Sequence, residues 1–363
     1  MSHRWGRAAV AMIAAPALLG CNGDEGAPGF HPDRRSSVDG VPVSTQTEVV
    51  ALPGGMACTP DTYLHRVHCH PMGQGSWSSF GREGSGPGEF RSPGPMVSWE
   101  GADSVLAVVD LRTARLSVFT RSGRYVSSVP VPRVFWPISP VRNSQVSGIV
   151  LGYPRPGSAP VLRIARVDVS DGAVNDILID PPPDSVTSPG PTLGRGVALS
   201  TGELVVHHRG HRFHRYGPDG RPRGTFSYPP HLTAPIYPSD RDMETYADNL
   251  RRLQRSEPSQ AQLEEWARRP LTPVLAATNP MEGPMSTVWV ASSRGRIDQS
   301  FIDVFREGDY LGAVIVRDRL LDFDLVGDTL IALVERSYEE DGVTARGVDW
   351  YGVGDWWALR ARK

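Results

Sequence analysis

The segment 207–214 holds the densest group of side chains able to do chemistry, four histidines within eight residues. Imidazole is a common metal ligand and a ready acid or base near neutral pH. A tight turn at Arg209 and Gly210 would divide the rings between two strands and two faces, and no Asp or Glu stands beside them as an orienting partner. We therefore expect no metal or other cofactor, the alternative being one divalent metal ion. The candidate ligand-binding or metal-binding residues are His207, His208, His211 and Arg212.

The first 21 residues have the pattern of an export signal. Arg4 and Arg7 precede a short apolar run over 8–19, which ends at Gly20 and Cys21. A membrane-spanning helix needs about 20 apolar residues, so this run is too short. Leu18-Leu19-Gly20-Cys21 resembles the bacterial lipobox. The alternative is an ordinary secretory signal with an incidental cysteine.

The lipobox resemblance implies that Cys21 is acylated and becomes the mature N-terminus. The membrane is then a partner of this protein through Cys21, and the following Asn22 resembles that of lipoproteins sorted to the outer membrane. The expected location is the cell envelope, at the periplasmic side of the outer membrane or at the cell surface. Residues 22–46 are rich in Gly, Pro, Asp, Arg and Ser with no apolar period, which predicts a flexible tether.

Cys58 and Cys69 are expected to form a disulfide, because nearby cysteines most often pair in an oxidising envelope. The alternative is a metal site, since thiolate and imidazole suit zinc or copper. Strand alternation would place His65 and His68 on opposite faces, and the spacing fits no standard zinc finger. The residues of that alternative site are Cys58, His65, His68, Cys69 and His70.

A shaped loop and three strands surround these candidates in the first half of the chain. The loop 81–88 contains four glycines and one proline, and Phe90 is an apolar anchor for its far end. β-rich runs follow at 104–110, 115–119 and 125–129, with short turns between them. A loop followed by such a meander has the length of one propeller blade.

The segment from Phe80 to Val129 resembles one repeat of the NHL-type six-bladed β-propellers, through its Gly-Pro-Gly-x-Phe loop and its Asp- and Arg-marked strands. The wider type consists of bacterial secreted or lipid-anchored propellers. The resemblance implies an all-β, six-bladed propeller over 47–363 and a structural role for Asp110 and Arg115. The same strand–turn–Arg-strand unit recurs at 204–220, where Arg212 falls in the place of Arg115.

The periodicity changes at 239–269, where a helical insertion is expected. Asp240 lies in a capping sequence, and a second capping box at Ser259 leads into another apolar stripe. β patterns resume at 287 and continue to 351. A propeller ring must close, so we expect a strand from one end of the chain to complete a blade begun at the other, with the aromatic tail at its seam.

Composition and motifs limit the partners and activities that we expect for this protein. The net charge is −2 with 38 basic and 40 acidic residues, and no basic patch stands out, so nucleic acid is not an expected partner. No Gly-x-Ser-x-Gly motif is present, and the loop 81–88 lacks the Gly-Lys of a P-loop. We expect a monomeric, non-catalytic binding or scaffold module for a protein, peptide or glycan. The alternative, implied by related propellers, is a lactonase-like metal-dependent hydrolase or lyase with its site in the central channel.

Overall fold

A computed structural model describes residues 29–41, 48–73, 75–99, 105–152, 161–178, 195–208, 212–233, 237–238, 240–254, 257–269, 278–292, 294, 299–337, 344–354 and 356. These residues form six antiparallel sheets arranged as a six-bladed β-propeller, as the sequence predicted. No helix in these ranges is long and apolar enough to cross a membrane. Cys21 lies outside the described residues.

The blades follow one another along the chain, each with four antiparallel strands. Blade 1 comprises β3 (Val50–Leu52), β4 (Met56–Asp61), β5 (Arg66–Pro71) and β6 (Ser78–Phe80). Blade 2 comprises β7 (Pro93–Trp99), β8 (Val105–Asp110), β9 (Arg115–Thr120) and β10 (Tyr125–Pro130). Blade 3 comprises β11 (Phe135–Pro137), β12 (Gln145–Gly152), β13 (Val161–Asp168) and β14 (Val174–Leu178).

The second half of the ring repeats this plan, with additions from the N-terminal end of the chain. Blade 4 comprises β15 (Arg195–Ala198), β16 (Leu204–His208), β17 (Arg212–Tyr216) and β18 (Pro222–Ser227). Blade 5 comprises β19 (Met281–Gly283), β20 (Thr287–Ser292), β21 (Gln299–Arg306) and β22 (Asp309–Arg317), with β1 (Gly29–Phe30) added in parallel to β22. Blade 6 comprises β23 (Arg319–Val326), β24 (Thr329–Ser337), β25 (Thr344–Gly352) and β2 (Asp33–Asp39).

The core is divided into six apolar clusters, and one lies between each pair of neighbouring blades. Strands in the middle of a blade are apolar on both faces for this reason, as in Leu330–Val334, where all five residues are buried. The largest cluster joins blades 5 and 6 and contains the fully buried Trp289 and Trp356. The inner strands of all blades surround the central axis.

The glycine-rich loop connects blade 1 to blade 2 and is fixed by the two residues that mark the repeat. Gly81 has a φ of 88° and packs on the ring of the fully buried Phe90, so a side chain there would collide with that ring. Asp110 accepts hydrogen bonds from the backbone N–H groups of Arg91 and Ser92 at 2.7 and 3.1 Å. Arg115 donates to three loop carbonyls, those of Ser85, Gly86 and Glu89.

Ring closure uses a segment that the sequence pattern assigned to the tether. Residues 22–46 were expected to be flexible, yet Asp33–Asp39 pairs antiparallel with Thr344–Gly352 as the outer strand of blade 6. The pattern gave no strand signal because this edge strand is mostly exposed and therefore polar. The structure thus bears out closure by a terminal strand and moves the start of the folded domain to before residue 47.

Ionic contacts hold the closing strand in place. Arg336 lies between Asp39 of the closing strand and the fully buried Asp349 of β25, and it donates to both. Its Nε also lies 3.3 Å from Asp318. The buried aromatic side chains of Trp350 and Tyr351 lie in the same strand as Asp349, so the seam contains part of the predicted aromatic tail.

The insertion forms two helices, α1 (Asp240–Gln254) and α2 (Gln260–Ala267). Ser259 caps α2 in the predicted capping box with Gln262. The helices meet through stacked rings of Tyr246 and Trp266, whose centroids are 4.4 Å apart.

In blade 1, Cys58 and Cys69 are direct partners across β4 and β5, and their sulfurs form a disulfide. Both cysteines pack in the cluster shared with blade 2. The ring of His70 points the other way, to Trp350 of blade 6 at 5.8 Å between centroids. Because the alternation of β5 puts His68 on the same face as His70, the cysteines and these histidines do not converge.

Replacing Arg336 with Gln should destabilise the fold by about 3 kcal/mol, because the buried Asp349 would keep only the more exposed Arg34, at 3.7 Å, as a cationic partner. Arg319 provides the matched control, since its pair with Glu335 is largely exposed. Arg319→Gln should cost at most about 1 kcal/mol. Urea unfolding of the three proteins measures both values, and equal losses would contradict this account of the seam.

Candidate functional site

A cavity of about 710 Å³ lies on the axis of the ring. The inner strand of every blade contributes side chains to its wall, so the site exists only when the ring is complete. Its size falls within the range of small-molecule pockets. The wall has two chemically different parts, one rich in carboxyl groups and one rich in aromatic and aliphatic groups.

The carboxyl part is built by Asp322 and Asp324 of blade 6 and by Glu48, which precedes the inner strand of blade 1. Asp322 accepts the backbone N–H of Val49 at 2.9 Å, and Asp324 accepts that of Ala51 at 2.7 Å. Each carboxylate therefore binds the inner strand of the neighbouring blade. Their i, i+2 spacing on β23 places both on one face.

Glu48 continues the same arrangement one blade further, because it accepts the backbone N–H of Met96 in β7 at 3.0 Å. Three blades are thus joined at the axis by three carboxyl groups that each accept a main-chain N–H. Asp324 also accepts the backbone N–H of Leu325 at 2.7 Å through its second oxygen, so both of its oxygens have main-chain donors.

Burial raises the pKa of these acids, since a charged carboxylate is poorly solvated there. The pKa of Glu48 rises to about 7, by desolvation first and then through the charge of Asp324, while the Met96 N–H and Arg195 oppose the rise. Desolvation raises the pKa of Asp324 to about 7 against two backbone hydrogen bonds. Desolvation and the charge of Glu48 raise the pKa of Asp322 well above its ordinary value.

Two arginines face this acidic part. Arg195 of β15 lies near Asp322 and Glu48, whose charges partly offset the lowering of its pKa by desolvation. Arg142 donates to Glu282 of blade 5 at 2.8 Å, and Glu282 also accepts the Ser200 N–H at 2.8–2.9 Å. Four carboxyl groups therefore meet two guanidinium groups in the wall.

The second part of the wall comes from blades 2 and 3, and it adjoins the acidic part at Met96, whose N–H Glu48 accepts. Trp99 and Trp136 supply two large aromatic side chains that remain partly exposed. Aliphatic and proline side chains complete this part, namely Pro95, Met96, Val97, Pro137, Ile138, Pro140 and Ile149. An occupant would meet apolar surface and carboxyl groups within the same cavity.

The histidine cluster does not form a common site in the described part of the chain. His207 pairs across strands with Phe213 and lies 4.9 Å from its ring, whereas His214 pairs with Val206. Successive residues of a strand point to opposite faces, so His207 and His214 project to opposite sides of blade 4. Arg212 is exposed at the start of β17. His211 and the side chain of His208 lie outside the described residues.

No three His, Cys, Asp or Glu side chains within the described ranges are arranged to hold one metal ion. The three axial carboxyl groups are instead engaged with main-chain N–H groups. Sequence reasoning did not single out Glu48, Asp322, Asp324 or Arg195. The available signal was Asp322-Phe323-Asp324, two acids on one face of an otherwise apolar strand.

Comparison with known proteins shows the fold and leaves function open. The chain is similar to a member of the DUF4221 family from Bacteroides vulgatus (10% identity, TM-score 0.51, covering 88% of this chain and 95% of that one). It is also similar to a calcium-binding protein, regucalcin, from Agrobacterium tumefaciens (10%, 0.46, 89% and 96%). Virginiamycin B lyase from Staphylococcus aureus is a third (10%, 0.43, 86% and 98%). No protein-family model and no curated protein matches the sequence.

The raised carboxyl pKa values predict that stability falls as the pH rises. A group whose pKa is higher in the folded state stabilises the fold below its unfolded pKa, and this contribution is lost as pH rises through the folded value. For Asp324, with a folded pKa of about 7, the loss between pH 5 and 8 should be about 3 kcal/mol. Asp324→Asn does not ionise, and its single oxygen can accept one of the two N–H groups, of Ala51 and Leu325, that Asp324 accepts; this cost is the same at every pH.

The Asn variant should therefore show a smaller decline in unfolding free energy from pH 5 to 8 than the parent protein. Glu83→Gln is the control, because its carboxyl group is largely exposed and lies outside the cavity. Urea titrations at several pH values give the comparison. Parallel pH profiles for the parent and Asp324→Asn would show that Asp324 is ionised in the fold at neutral pH.

Proposed function

We propose that the chain is a binding module of the cell envelope whose ligand occupies the axial cavity. The observation that carries this proposal is a cavity of about 710 Å³ lined by all six blades and divided into an acidic and an aromatic part. A pocket of this size with a few converging polar groups is typical of ligand sites. Because the axial carboxyl groups also hold the blades together, the site needs no moving part to be ready for a ligand.

The wall favours a ligand with an apolar body and a positive charge. Four carboxyl groups face two guanidinium groups, and Arg142 already forms a close ion pair with Glu282. Of the remaining acids, Glu48 and Asp322 lie near the positive charge of Arg195. An ammonium or guanidinium group beside them would replace bound protons, and Trp99 and Trp136 would stack on an apolar or cationic body.

Among a protein, a peptide or a glycan, a peptide segment with a cationic side chain or a free amine has this chemistry. A neutral glycan would use the tryptophan surfaces and leave the acids without a partner. A whole protein would be held through such a segment, since the cavity accepts a few residues at most. The helices of the 239–269 insertion are not among the cavity residues.

Calorimetric titration with three matched phenyl probes tests the proposal. Phenethylamine is cationic, N-acetylphenethylamine is neutral and phenylacetate is anionic, while their apolar bodies are alike. Phenethylamine should bind at pH 8 with a Kd of about 1 mM, as expected for so small a ligand. Affinity should fall at pH 6, because protons compete for Glu48 and Asp324.

Trp136→Ala and Glu48→Gln should each weaken phenethylamine at least several-fold, and Glu83→Gln should not change it. Preference for phenylacetate, or equal binding in Trp136→Ala, would overturn the assignment. A stoichiometric divalent ion in the purified protein, lost in Glu48→Gln, would instead favour the metal-dependent hydrolase or lyase.

The envelope part of the proposal rests on the N-terminal segment, with Cys21 as the lipidated anchor. Intact mass of the protein purified from its native membrane should correspond to a chain that begins at Cys21 and carries acyl groups. Cys21→Ala should abolish acylation and weaken association with the membrane fraction, because the acyl chains are the proposed anchor. An unmodified Cys21 thiol, or cleavage elsewhere, would contradict lipidation.

A further inference from the structure

Three side chains of blade 1 form an array outside the axial cavity, on three adjacent strands. Asp61 ends β4, His68 lies within β5, and Ser79 lies within the outermost strand β6. His68 Nδ1 is 2.6 Å from Ser79 Oγ, and His68 Nε2 is 3.4 Å from Asp61 Oδ2. His68 and Ser79 are direct cross-strand partners, so the sheet itself sets this approach.

The three side chains of the array differ in their exposure to solvent. The side chains of Asp61 and His68 are 5% and 6% exposed, whereas Ser79 is exposed to solvent. Asp61 is held in place because its Oδ1 accepts the backbone N–H groups of Tyr63 and Leu64 at 2.9 and 3.0 Å. Its other oxygen lies 3.4 Å from His68 Nε2, within ion-pair distance of the imidazole. A reagent in solution can reach the serine but not the two groups behind it.

The protonation state of His68 suits a base. Desolvation lowers the pKa of His68, although the neighbouring Asp61 carboxylate opposes this, so the ring is neutral at neutral pH. The carboxylate of Asp61 favours the tautomer with the proton on Nε2. Nδ1 then carries the lone pair that faces the Ser79 hydroxyl, which is the arrangement of a nucleophile, its base and an orienting acid.

We propose that Ser79 is an activated nucleophile that accepts acyl groups from small activated esters. Ser79 Oγ attacks the electrophilic carbon, and His68 takes the hydroxyl proton. As the ester C–O bond breaks, His68 passes this proton to the leaving alkoxide, and Asp61 positions the ring throughout. Water then releases the acyl group by the same proton transfers in reverse order, which regenerates Ser79.

Other blades contain acid-centred networks at buried positions, and they differ from this one in two respects. In blade 5, Asp303 contacts Arg294 and Tyr310, and in blade 6, Asp349 contacts Arg336 and Tyr351. Their basic member is an arginine, which does not act as a base. Their hydroxyl groups belong to Tyr310 and the buried Ser292 in blade 5 and to Tyr351 in blade 6, where Ser37 contacts the arginine and not a histidine. Blade 1 alone among these three combines a neutral imidazole with an exposed serine.

A fluorophosphonate probe tests the proposal, because it forms a stable bond to an activated serine as fluoride leaves. The purified protein should gain one label, mapped by peptide mass spectrometry to Ser79. Ser78 is the internal control, since it is adjacent and exposed but donates to the Cys69 carbonyl and has no histidine partner in this array. Ser78→Ala should label normally, and Ser79→Ala should not label.

His68→Gln should slow labelling at least 100-fold, in line with the usual contribution of a general base. Asp61→Asn keeps an oxygen that can accept the Tyr63 and Leu64 N–H groups. The variant therefore tests the positioning of His68 without removing the hydrogen bonds that hold the turn. It should slow labelling and move the midpoint of the pH–rate profile to lower pH, because a carboxylate that raises the His68 pKa is lost. Circular dichroism confirms that each variant is folded. Absence of a label, equal labelling of Ser78, or an unchanged rate and midpoint in folded Asp61→Asn would overturn the proposal.

Discussion

The inner strand of each blade has a free edge, and the N–H groups along that edge need acceptors that its own sheet does not supply. Between blades 2, 3 and 4 the acceptors are main-chain carbonyls, since Val141 donates to Ser98 and Ala198 to Ile138, both at 2.9 Å. From blade 6 to blade 2 the acceptors are the axial carboxyl groups. The acidity of the cavity is thus a consequence of how the ring is joined.

Blade 1 is where most of these constraints meet. The N–H of Val49, just before its inner strand, donates to Asp322 of blade 6. Its disulfide fixes the pairing of β4 with β5, and its outer strand leads into the glycine-rich loop to blade 2. The same fixed pairing holds Asp61, His68 and Ser79 in register. The two proposed sites therefore lie at opposite ends of one sheet, one at the axis and one at the rim.

The architecture could be predicted because it repeats. The unit at 80–129 contains its own loop, strands and marker residues Asp110 and Arg115, all of which are local in sequence. The closing strand could not be found this way, because Asp33–Asp39 is an exposed edge whose partner lies more than 300 residues away. The axial site also depends on residues that are distant in the sequence. Glu48 and Asp322 come close to each other only when the closed ring brings their strands together. The histidine-rich segment 207–214 is a candidate site by its composition alone. The pleat of the strands places His207 and His214 on opposite faces of blade 4.

The closing strand begins close to the N-terminal end of the folded domain, and this has a mechanical consequence for the proposed anchor at Cys21. At most roughly 30 Å of extended chain separates Cys21 from Gly29. A pull between membrane and domain would be transmitted to β1 and β2, the strands that complete blades 5 and 6. Antiparallel pairing along Asp33–Asp39 and the ionic contacts of Asp39 and Arg35 would then share the load. The seam between the closing strand and the rest of blade 6 would therefore be the first part of the ring to open under force. A pulling force on a bound partner would load this seam before any other blade.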